Sequence, residues 1–159
     1  MSSTLRRYWP TAAVALVLSL GIGGLGGALT DLGDWYQNLT QPAWKPPDWA
    51  FGPAWTSIFI LCAAAISIAW VHAPTQRAKR QIIIVFAINA ILNLLWSALF
   101  FVFKMPLPAL VEIVPLWLSI LACTIVCWRI RPLAGVCLMP YLVWVAFAST
   151  VNYGVVVLN

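Results

Sequence analysis

The sequence predicts an all-α integral membrane protein, a bundle of five transmembrane helices with a long structured loop between helices 1 and 2. The 159-residue chain is 63% hydrophobic and only 8% charged, with a mean hydropathy of +0.93, whereas a soluble domain carries about 25% charged residues. The few charged residues divide the chain into five apolar runs, each close to the ~20 residues that cross a bilayer. Because backbone groups in lipid must bond within their own segment, each run is expected to be a helix.

The apolar runs account for nearly the whole chain, so we predict a single membrane domain over residues 1–159. The helices are expected at approximately 10–30, 53–72, 81–103, 107–128 and 133–157, with the loop at 31–52. A cleaved signal peptide is an alternative for the first run, which follows basic residues. We favour a retained helix, because the apolar character continues to Leu29 without a small-x-small cleavage site.

The distribution of Lys and Arg predicts the orientation in the membrane. The N-terminus and the second and fourth connectors hold seven of these residues, whereas the first and third connectors hold two. The positive-inside rule then places the N-terminus in the cytoplasm and the first loop on the opposite side, in a bacterial cell membrane. The net charge of +5 is therefore a topology signal. No nucleic-acid binding is expected, because Lys and Arg are not interleaved with aromatic residues on any face.

The stretch from Trp35 to Trp55 is richer in proline and aromatic residues than a simple connector needs to be. Each of its four prolines fixes φ and removes a backbone donor, so we expect the stretch to be stiff, extended and non-helical. Its aromatic faces must be covered, which predicts that the loop at 31–52 is a lid folded onto the helix ends. An aromatic belt at the membrane interface is the alternative, but a belt does not require this density of proline.

Cysteine and histidine give only weak signals for a metal site. Cys123 and Cys127 lie four residues apart on one helical face, but no second pair and no nearby histidine accompany them, and such a pair alone is a poor indicator of zinc. Free cysteine is commonly a small buried apolar residue, which is the role expected here. The single histidine, His72, ends the second run and is expected at the interface. Neither a metal site nor a required cofactor is predicted.

Two polar residues lie inside the third predicted helix. Asn89 and Asn93 are four residues apart, and Trp96 and Phe100 continue the same face. Polar side chains within a span face the bundle or a cavity, because lipid offers no partner. The asparagines either form hydrogen bonds between helices, each worth about 1 kcal/mol, or anchor a ligand in an otherwise aromatic pocket. The pattern alone fits both interpretations equally.

Glu112 is the one charged residue within a predicted span, and it lies near the lid-side start of the fourth helix. Near a helix N-terminus the macrodipole favours an anion, so a purely structural role is one interpretation. A carboxyl group inside the membrane with no evident Lys or Arg partner is, however, a functional candidate. We therefore regard Glu112 as a candidate polar or ionisable contributor to a site.

The fifth predicted helix carries a second stripe of aromatic and polar residues. Trp144, Ala148 and Asn152 repeat at steps of four, and the small Ala148 leaves a hollow between its neighbours. Helices 3 and 5 end on the lid side, and helices 2 and 4 begin there. The candidates from these helices therefore converge in the lid-side half of the membrane: Trp55, Asn93, Trp96, Glu112, Trp144, Ala148 and Asn152. A concave, mainly aromatic site with few polar groups suits a flat hydrophobic molecule.

Several motifs occur in order along the chain. They are WY-x-x-L-x-x-P-x-W-x-P-P-x-W at Trp35–Trp49 followed by GPAW, N-x-x-W-x-x-L-F-F at Asn93–Phe101, the acidic Glu112, and PYL-x-W-x-x-F-A with N-Y at Pro140–Tyr153. With these motifs the chain resembles, over nearly its whole length, the translocator protein family, also known as tryptophan-rich sensory proteins or the peripheral-type benzodiazepine receptor group (TspO/MBR). The resemblance implies five membrane helices, a homodimer, and a pocket beneath the first loop that binds porphyrins, sterols and drug-like molecules.

The resemblance also implies a set of ligand-binding residues. Carried over by motif, the set is Trp35, Tyr36, Pro42, Trp55, Asn89, Asn93, Trp144 and Ala148, and the stripes described above add Trp96 and Asn152. One departure concerns sterols. Relatives linked to cholesterol often end with V/L-x-Y-x-K/R, a weak indicator even when present, whereas no Lys or Arg follows Val151-Asn152-Tyr153 here. This departure argues against sterol binding.

Three functions are compatible with such a site. The favoured one is a membrane receptor or carrier for porphyrins, such as protoporphyrin IX or haem-type tetrapyrroles, that regulates tetrapyrrole metabolism or a stress response. The resemblance also implies a light- and oxygen-dependent porphyrin-degrading activity, but no nucleophile-base pair or redox motif supports a dedicated mechanism, so no catalytic residue is assigned. A sterol or tetrapyrrole transporter is the third, although no inverted repeat is evident.

Overall fold

The computed structural model describes the backbone of residues 3–159 and the side chains of residues 8–159. The helices, numbered in chain order, are α1 (Ser3–Leu29), α2 (Asp34–Asn38), α3 (Phe51–His72), α4 (Gln76–Ser97), α5 (Pro106–Ile130), α6 (Pro132–Val136) and α7 (Met139–Leu158). Five segments are long and apolar enough to cross a membrane: α1, α3, α4 with the turn after it, α5, and α6 together with α7. The described residues include no β-strand, and the predicted all-α membrane fold is confirmed.

The spanning helices extend beyond the apolar runs that predict them. α1 begins at Ser3 rather than near residue 10, and α4 begins at Gln76 rather than near residue 81. Long basic side chains can reach the interface while their backbone stays helical, so Lys and Arg do not mark helix ends. The start of α4 is set by a cap instead, because Thr75 Oγ1 accepts a hydrogen bond of 3.1 Å from the Ala78 N–H.

The fifth span is divided into two helices. α6 ends at Val136 and α7 begins at Met139. The short α6 packs closely against the end of α5, because a Cβ atom on Gly135 would lie 2.6 Å from Trp128 Cε3 and 3.1 Å from its Cα. Leu138, between the two helices, is fully buried. The break therefore lies in the core of the bundle.

The first helix packs on α3 along much of its length but approaches α4 closely only toward its lid-side end. α1 packs mainly on α3, whereas α4 packs along α5, and α5 packs along α7. A Cβ atom on Gly23 would lie 2.6 Å from Phe59 Cδ2 of α3, and one on Gly26 would face Asn93 and Ser97 of α4. Glycine allows such close approach of helices in lipid. Farther from the lid, α1 diverges enough to leave a cavity.

The lid contains helical turns, which corrects the expectation that it is wholly non-helical. α2 occupies Asp34–Asn38, and a 3-10 helix at Asp48–Ala50 leads directly into α3. Proline restricts its own residue and the one before it, and α2 precedes the first lid proline, Pro42. The constraint therefore applies between the two helical segments, where one turn is closed by a bond of 3.0 Å from the Lys45 N–H to the Pro42 oxygen.

A π-helical turn ends the third span, and the sequence did not predict it. It covers Ala98–Val102 and is closed by a bond of 2.8 Å from the Phe103 N–H to the Ala98 oxygen. Two consecutive aromatic residues of this turn, Phe100 and Phe101, are both buried. π-turns are rare and are frequently found at functional sites. This one brings two rings to the underside of the lid.

Candidate functional site

Three side chains hold the two ends of the lid together, and we call them the lid clasp (Tyr36, Lys45 and Asp48). Tyr36 Oη donates a hydrogen bond of 2.8 Å to Asp48 Oδ1, and Lys45 Nζ donates one of 3.2 Å to Tyr36 Oη. Lys45 also forms an ion pair with Asp48. Burial lowers the pKa of Lys45, but its hydrogen bonds to Asp48 and Tyr36 outweigh this effect and leave the pKa raised. The clasp joins α2 to the 3-10 helix.

The lid is also attached to the end of α7. Asn159 Oδ1 accepts a hydrogen bond of 2.9 Å from the Thr40 N–H, and Asn159 Nδ2 donates one of 3.1 Å to the Thr40 oxygen. Two residues further along, Pro42 lies directly on Gly154, where a Cβ atom would be 2.8 Å from Pro42 Cβ and Cγ. Because Gly154 has no side chain, the lid backbone approaches α7 closely.

Beneath α2, rings from the lid pack against rings from the end of the third span. We call them the lid cluster: Trp35, Tyr36, Trp96, Phe100 and Phe101. Trp35 meets Phe100 edge-on with ring centroids 5.9 Å apart, and Tyr36 packs on Phe101 at 5.9 Å. Trp96 stacks on Phe100 at 5.5 Å. Such ring pairs each contribute about 0.5–1.5 kcal/mol beyond their buried area, so they fix α2 in place.

A second group of rings lies between the start of α3 and α7. We call it the aromatic cage: Phe51, Trp55, Phe59, Tyr141 and Trp144. Trp55 stacks on Phe59 with centroids 5.7 Å apart. It also meets Tyr141 and Trp144 edge-on, at 5.8 and 6.4 Å. Phe51 closes the lid-side end against Trp144 at 5.7 Å. The rings are in mutual contact, so the cage is closed in this structure.

Two of the predicted asparagines connect the helices around these rings. Asn93 Nδ2 of α4 donates a hydrogen bond of 3.0 Å to Tyr141 Oη of α7. Asn152 Oδ1 accepts one of 3.3 Å from Trp96 Nε1, and Asn152 Nδ2 donates one of 2.9 Å to the Pro106 oxygen. Asn152 therefore links α4, α5 and α7 with a single side chain. Both asparagines form interhelical bonds, and for Asn93 this is one of the two roles that the sequence pattern allowed.

Two polar groups in this region have no hydrogen-bond partner among the described residues. The Trp144 Nε1–H is buried in the cage without an acceptor, and both carboxyl oxygens of Glu112 are buried without a donor. Glu112 lies one turn after Ala109, which packs in the same cluster as Tyr36. An unpaired buried donor costs about 1–3 kcal/mol, and an unpaired carboxylate costs more. Such groups are rare in native proteins and call for an explanation, so both are candidates for contact with a ligand.

Two cavities lie beside the cage and the lid cluster, and Phe59 of the cage also lines the first of them. One, which we call the slot, has a volume of about 660 Å³ and lies between α1, α3 and α4. Its α1 wall runs from Pro10 to Ile22, and Asn89 and Asn93 line its inner end. Asn89 Nδ2 donates a hydrogen bond of 2.9 Å to Ser119 Oγ of α5. The other cavity, of about 730 Å³, lies along α5 and α7 beside the lid.

The ten residues predicted to bind a ligand therefore lie in several places rather than around one open cavity. Trp35, Tyr36 and Trp96 belong to the lid cluster, and Asn152 is hydrogen-bonded to Trp96. Trp55 and Trp144 belong to the cage, Asn93 is hydrogen-bonded to Tyr141 of the cage, and Asn89 and Asn93 line the slot. Ala148 packs against the core near Trp144, and Pro42 packs on Gly154 of α7.

Five rings of the site are not among the ten predicted residues: Phe51, Phe59, Phe100, Phe101 and Tyr141. Phe59 lies four residues after Trp55, and this helical spacing was a usable signal. Phe101 is turned inward together with Phe100 at the π-turn, and its burial had no local signal because a π-turn has no simple sequence signature. Phe59 and Phe101 read as ordinary apolar residues within long apolar runs.

Among the described residues, no group of three or more His, Cys, Asp or Glu side chains lies close enough together to hold a metal ion. Cys62, Cys123 and Cys127 are buried free thiols. His72 is exposed at the end of α3, where Tyr8 Oη lies 3.3 Å from its Nδ1. Its placement is that of an interfacial residue.

Comparison with known proteins places these features in a family. Residues 13–158 match the model of the TspO/MBR family. The chain is 38% identical to the tryptophan-rich protein TspO of Chlorobaculum tepidum, over 94% of this chain and 96% of that protein. It is 33% identical to the protein CrtK of Rhodobacter capsulatus, over 86% and 85%. It is also 33% identical to the translocator protein of Sus scrofa, over 89% and 86%.

Proposed function

This chain belongs to the TspO/MBR family, and from this premise we propose that it is a membrane receptor or carrier for porphyrins and other flat hydrophobic molecules. The ligand, protoporphyrin IX or a haem-type tetrapyrrole, lies beneath the lid between the aromatic cage and the lid cluster. It is a regulatory ligand rather than a required cofactor, and its binding controls tetrapyrrole metabolism or a stress response.

The observation that carries this proposal is the unpaired N–H of Trp144 inside the cage. A carboxylate or carbonyl oxygen of a bound ligand supplies the acceptor that the protein lacks, while Trp55 and Phe51 offer flat apolar surface. Pairing the buried donor recovers part of the ~1–3 kcal/mol that its isolation costs. Glu112 is the second polar group on this side of the membrane with no partner among the described residues, and it accepts or donates a proton at the ligand's edge.

Ligand entry requires the cage to open, because its rings are in contact. Hydrogen bonds between Thr40 and Asn159 tie the lid to α7 and can release without breaking a spanning helix. They are near the membrane surface, where water replaces them at little cost. We expect the lid to lift from α7 while the five spans stay in place.

The test compares porphyrin binding by two tryptophan variants of the purified protein. Trp144→Phe keeps an aromatic ring and removes the N–H, so the Kd measured from the porphyrin absorption shift is expected to rise about five- to ten-fold. The matched control is Trp49→Phe, because Trp49 is in the lid but 76% exposed, and its Kd is expected to equal the parent's. Equal Kd values for the parent and Trp144→Phe contradict the proposal.

The orientation forms part of the proposal: the N-terminus faces the cytoplasm, and the lid faces the opposite side. The charge distribution supports it, because Lys45 and Lys104 are the two basic residues at the lid side. Arg6 and Arg7 also contribute to this prediction, but their side chains lie outside the described residues. To test the orientation, Asn38→Cys is treated in intact cells with a membrane-impermeant thiol reagent. We expect this cysteine to be labelled, and its protection contradicts the orientation.

We also propose that the protein acts as a homodimer, as the family resemblance implies. The support is the resemblance itself together with the apolar outer faces of the helices, which suit either lipid or a second copy. Light scattering of the purified protein, corrected for bound detergent, is expected to give twice the mass of one chain. A mass of one chain at all protein concentrations rejects the dimer and leaves the ligand site untouched.

A further inference from the structure

The slot extends from the membrane surface opposite the lid to the middle of the bundle, where Phe59 and Asn93 line it, and it opens toward the lipid. Its α1 wall, from Pro10 to Ile22, is about 18 Å long at ~1.5 Å per residue, close to the ~15 Å depth of one leaflet of the hydrocarbon core. Val14 and Leu18 of α1 and Ile83 of α4 line the slot and are each more than half exposed. The slot therefore has a lateral opening between α1 and α4.

The interior of the slot suits a flexible apolar chain. Its volume of about 660 Å³ is within the ~300–1,000 Å³ typical of ligand pockets, and aliphatic and aromatic side chains form most of the lining. The two asparagines at the inner end donate their amide hydrogens to Ser119 and Tyr141 within the bundle. One of the two N–H groups of each amide is thereby engaged within the bundle and does not face the slot.

The outer end of the slot carries a positioned cation. Lys79 Nζ lies 5.2 Å from the ring centroid of Trp70, a cation–π distance, and Trp70 lines the slot. Lys79 also precedes Ile82 and Ile83 by one turn of α4, and both isoleucines line the slot. The ammonium group is thus held directly above the opening at the level of the membrane surface.

This end of the bundle has no acidic side chain to neutralise its charge. The four acidic residues of the chain all lie on the lid side: Asp31, Asp34, Asp48 and Glu112. The basic residues at the ends of α3, α4 and α5 opposite the lid are Arg77, Lys79, Arg80, Arg129 and Arg131. Such an uncompensated group of cations next to a bilayer attracts anionic lipid headgroups.

We propose that the slot binds one acyl chain of an anionic phospholipid from the adjacent leaflet, with the lipid phosphate at Lys79. The chain enters between α1 and α4 and extends from Trp70 toward Asn93, and the headgroup stays at the surface. A zwitterionic lipid with the same chains fills the slot but binds less tightly, because its headgroup has no net charge for Lys79 to neutralise. Phe59 and Asn93 border both this lipid site and the ligand site beneath the lid, but the proposal does not rest on porphyrin binding.

Native mass spectrometry of the purified full-length protein tests the proposal. The protein is titrated with phosphatidylglycerol and, in parallel, with phosphatidylcholine of identical chains. The parent is expected to retain the first lipid about five-fold more tightly, the effect of roughly one basic side chain near an anionic headgroup. Lys79→Gln is expected to remove this preference. Lys104→Gln is the matched control, because it makes the same change in charge and Lys104 Nζ also lies over a tryptophan, 6.0 Å from the Trp35 ring centroid on the lid side.

A second variant tests the slot itself. Ala90→Phe places a ring in the slot, since Ala90 lines it, and is expected to reduce the retention of both lipids several-fold. The proposal is overturned if Lys79→Gln and Lys104→Gln retain phosphatidylglycerol equally. It is also overturned if a folded Ala90→Phe variant retains both lipids as the parent does, and a changed oligomeric state then identifies a second copy of the chain as the occupant. If Ala90→Phe fails to fold, the comparison of Lys79→Gln with Lys104→Gln still tests the proposal.

Discussion

The two halves of this membrane domain are packed in different ways. On the lid side, the rings of the aromatic cage and the lid cluster are in mutual contact, and Asn93 and Asn152 join α4, α5 and α7. On the opposite side, α1 stands away from α4, and the slot of about 660 Å³ remains between them. The centre of the lid-side half is filled by large rings and long-range bonds, with a cavity only on its outer side along α5 and α7, whereas the opposite half has a gap between α1 and α4.

The difference follows from what surrounds each half. Helices in lipid are not driven together by the hydrophobic effect, because lipid tails are as apolar as the side chains. A gap that faces lipid can therefore be filled by lipid at little cost, whereas the polar groups near the lid need partners or a ligand. Four changes of decreasing effect test this contrast.

The largest effect is expected where the lid lies on α7. Gly154→Ala places a methyl group 2.8 Å from two atoms of the Pro42 ring, and the rigid ring cannot rotate away, so the lid must shift. Overpacking of this kind costs about 1–3 kcal/mol, which corresponds to a fall in Tm of about 2–10 °C for a chain of this size. Gly24→Ala is the control, because a Cβ there meets nothing within 4 Å. Equal Tm values for the two variants show that the lid does not pack on Gly154.

A smaller effect is expected from the side chain that links three spans. Asn152→Leu removes the acceptor of the Trp96 N–H and the donor to the Pro106 oxygen, and should lower the free energy of unfolding by about 1–2 kcal/mol. Thermal unfolding in detergent measures the change. Ser149→Ala serves as the control on the same helix, since its hydroxyl bonds only to the oxygen of Ala146. If Ser149→Ala loses as much unfolding free energy as Asn152→Leu does, the loss cannot be attributed to the bonds between helices.

A weaker effect is expected deeper in the bundle. Ser119→Ala removes the acceptor of Asn89 Nδ2, and an interhelical bond of this kind in a membrane contributes about 0.6 kcal/mol on average. Thr124→Val is the control, because its hydroxyl bonds within its own helix to Ile120. If Ser119→Ala destabilises the protein as much as Asn152→Leu does, the contrast between the two halves is wrong.

The smallest change in stability is expected at the lid clasp. Lys45→Met removes a partly exposed ion pair with Asp48, which is worth less than about 1 kcal/mol, and should speed hydrogen exchange of the lid amides. Because the pKa of Lys45 is raised in the folded protein, the clasp stabilises the lid fully below the ordinary lysine pKa. Its contribution is lost as the pH rises through the raised value, above about 10.4. At high pH the lid amides of the parent should therefore exchange as fast as those of the variant. A difference in exchange rate that persists at high pH argues against the clasp.

Much of the architecture could be predicted because its causes are local. Lipid excludes charge, so the rarity of Lys, Arg, Asp and Glu marks the five spans. Polar residues in a span turn inward for the same reason, and Asn93 and Asn152 are both buried. The helix starts were predicted less well, because a cap such as Thr75 sets them and the apolar pattern does not record it.

By itself, the sequence determined that five helices cross the membrane and that a proline-rich aromatic segment joins the first two, because composition alone decides what lipid accepts. Only the tertiary structure decided where the open volume lies. That depends on the approach of Gly23 to Phe59, on the π-turn that buries Phe101 beside Phe100, and on the seat of Pro42 on Gly154. Each depends on how the helices approach one another in the whole bundle, so no local pattern specifies it.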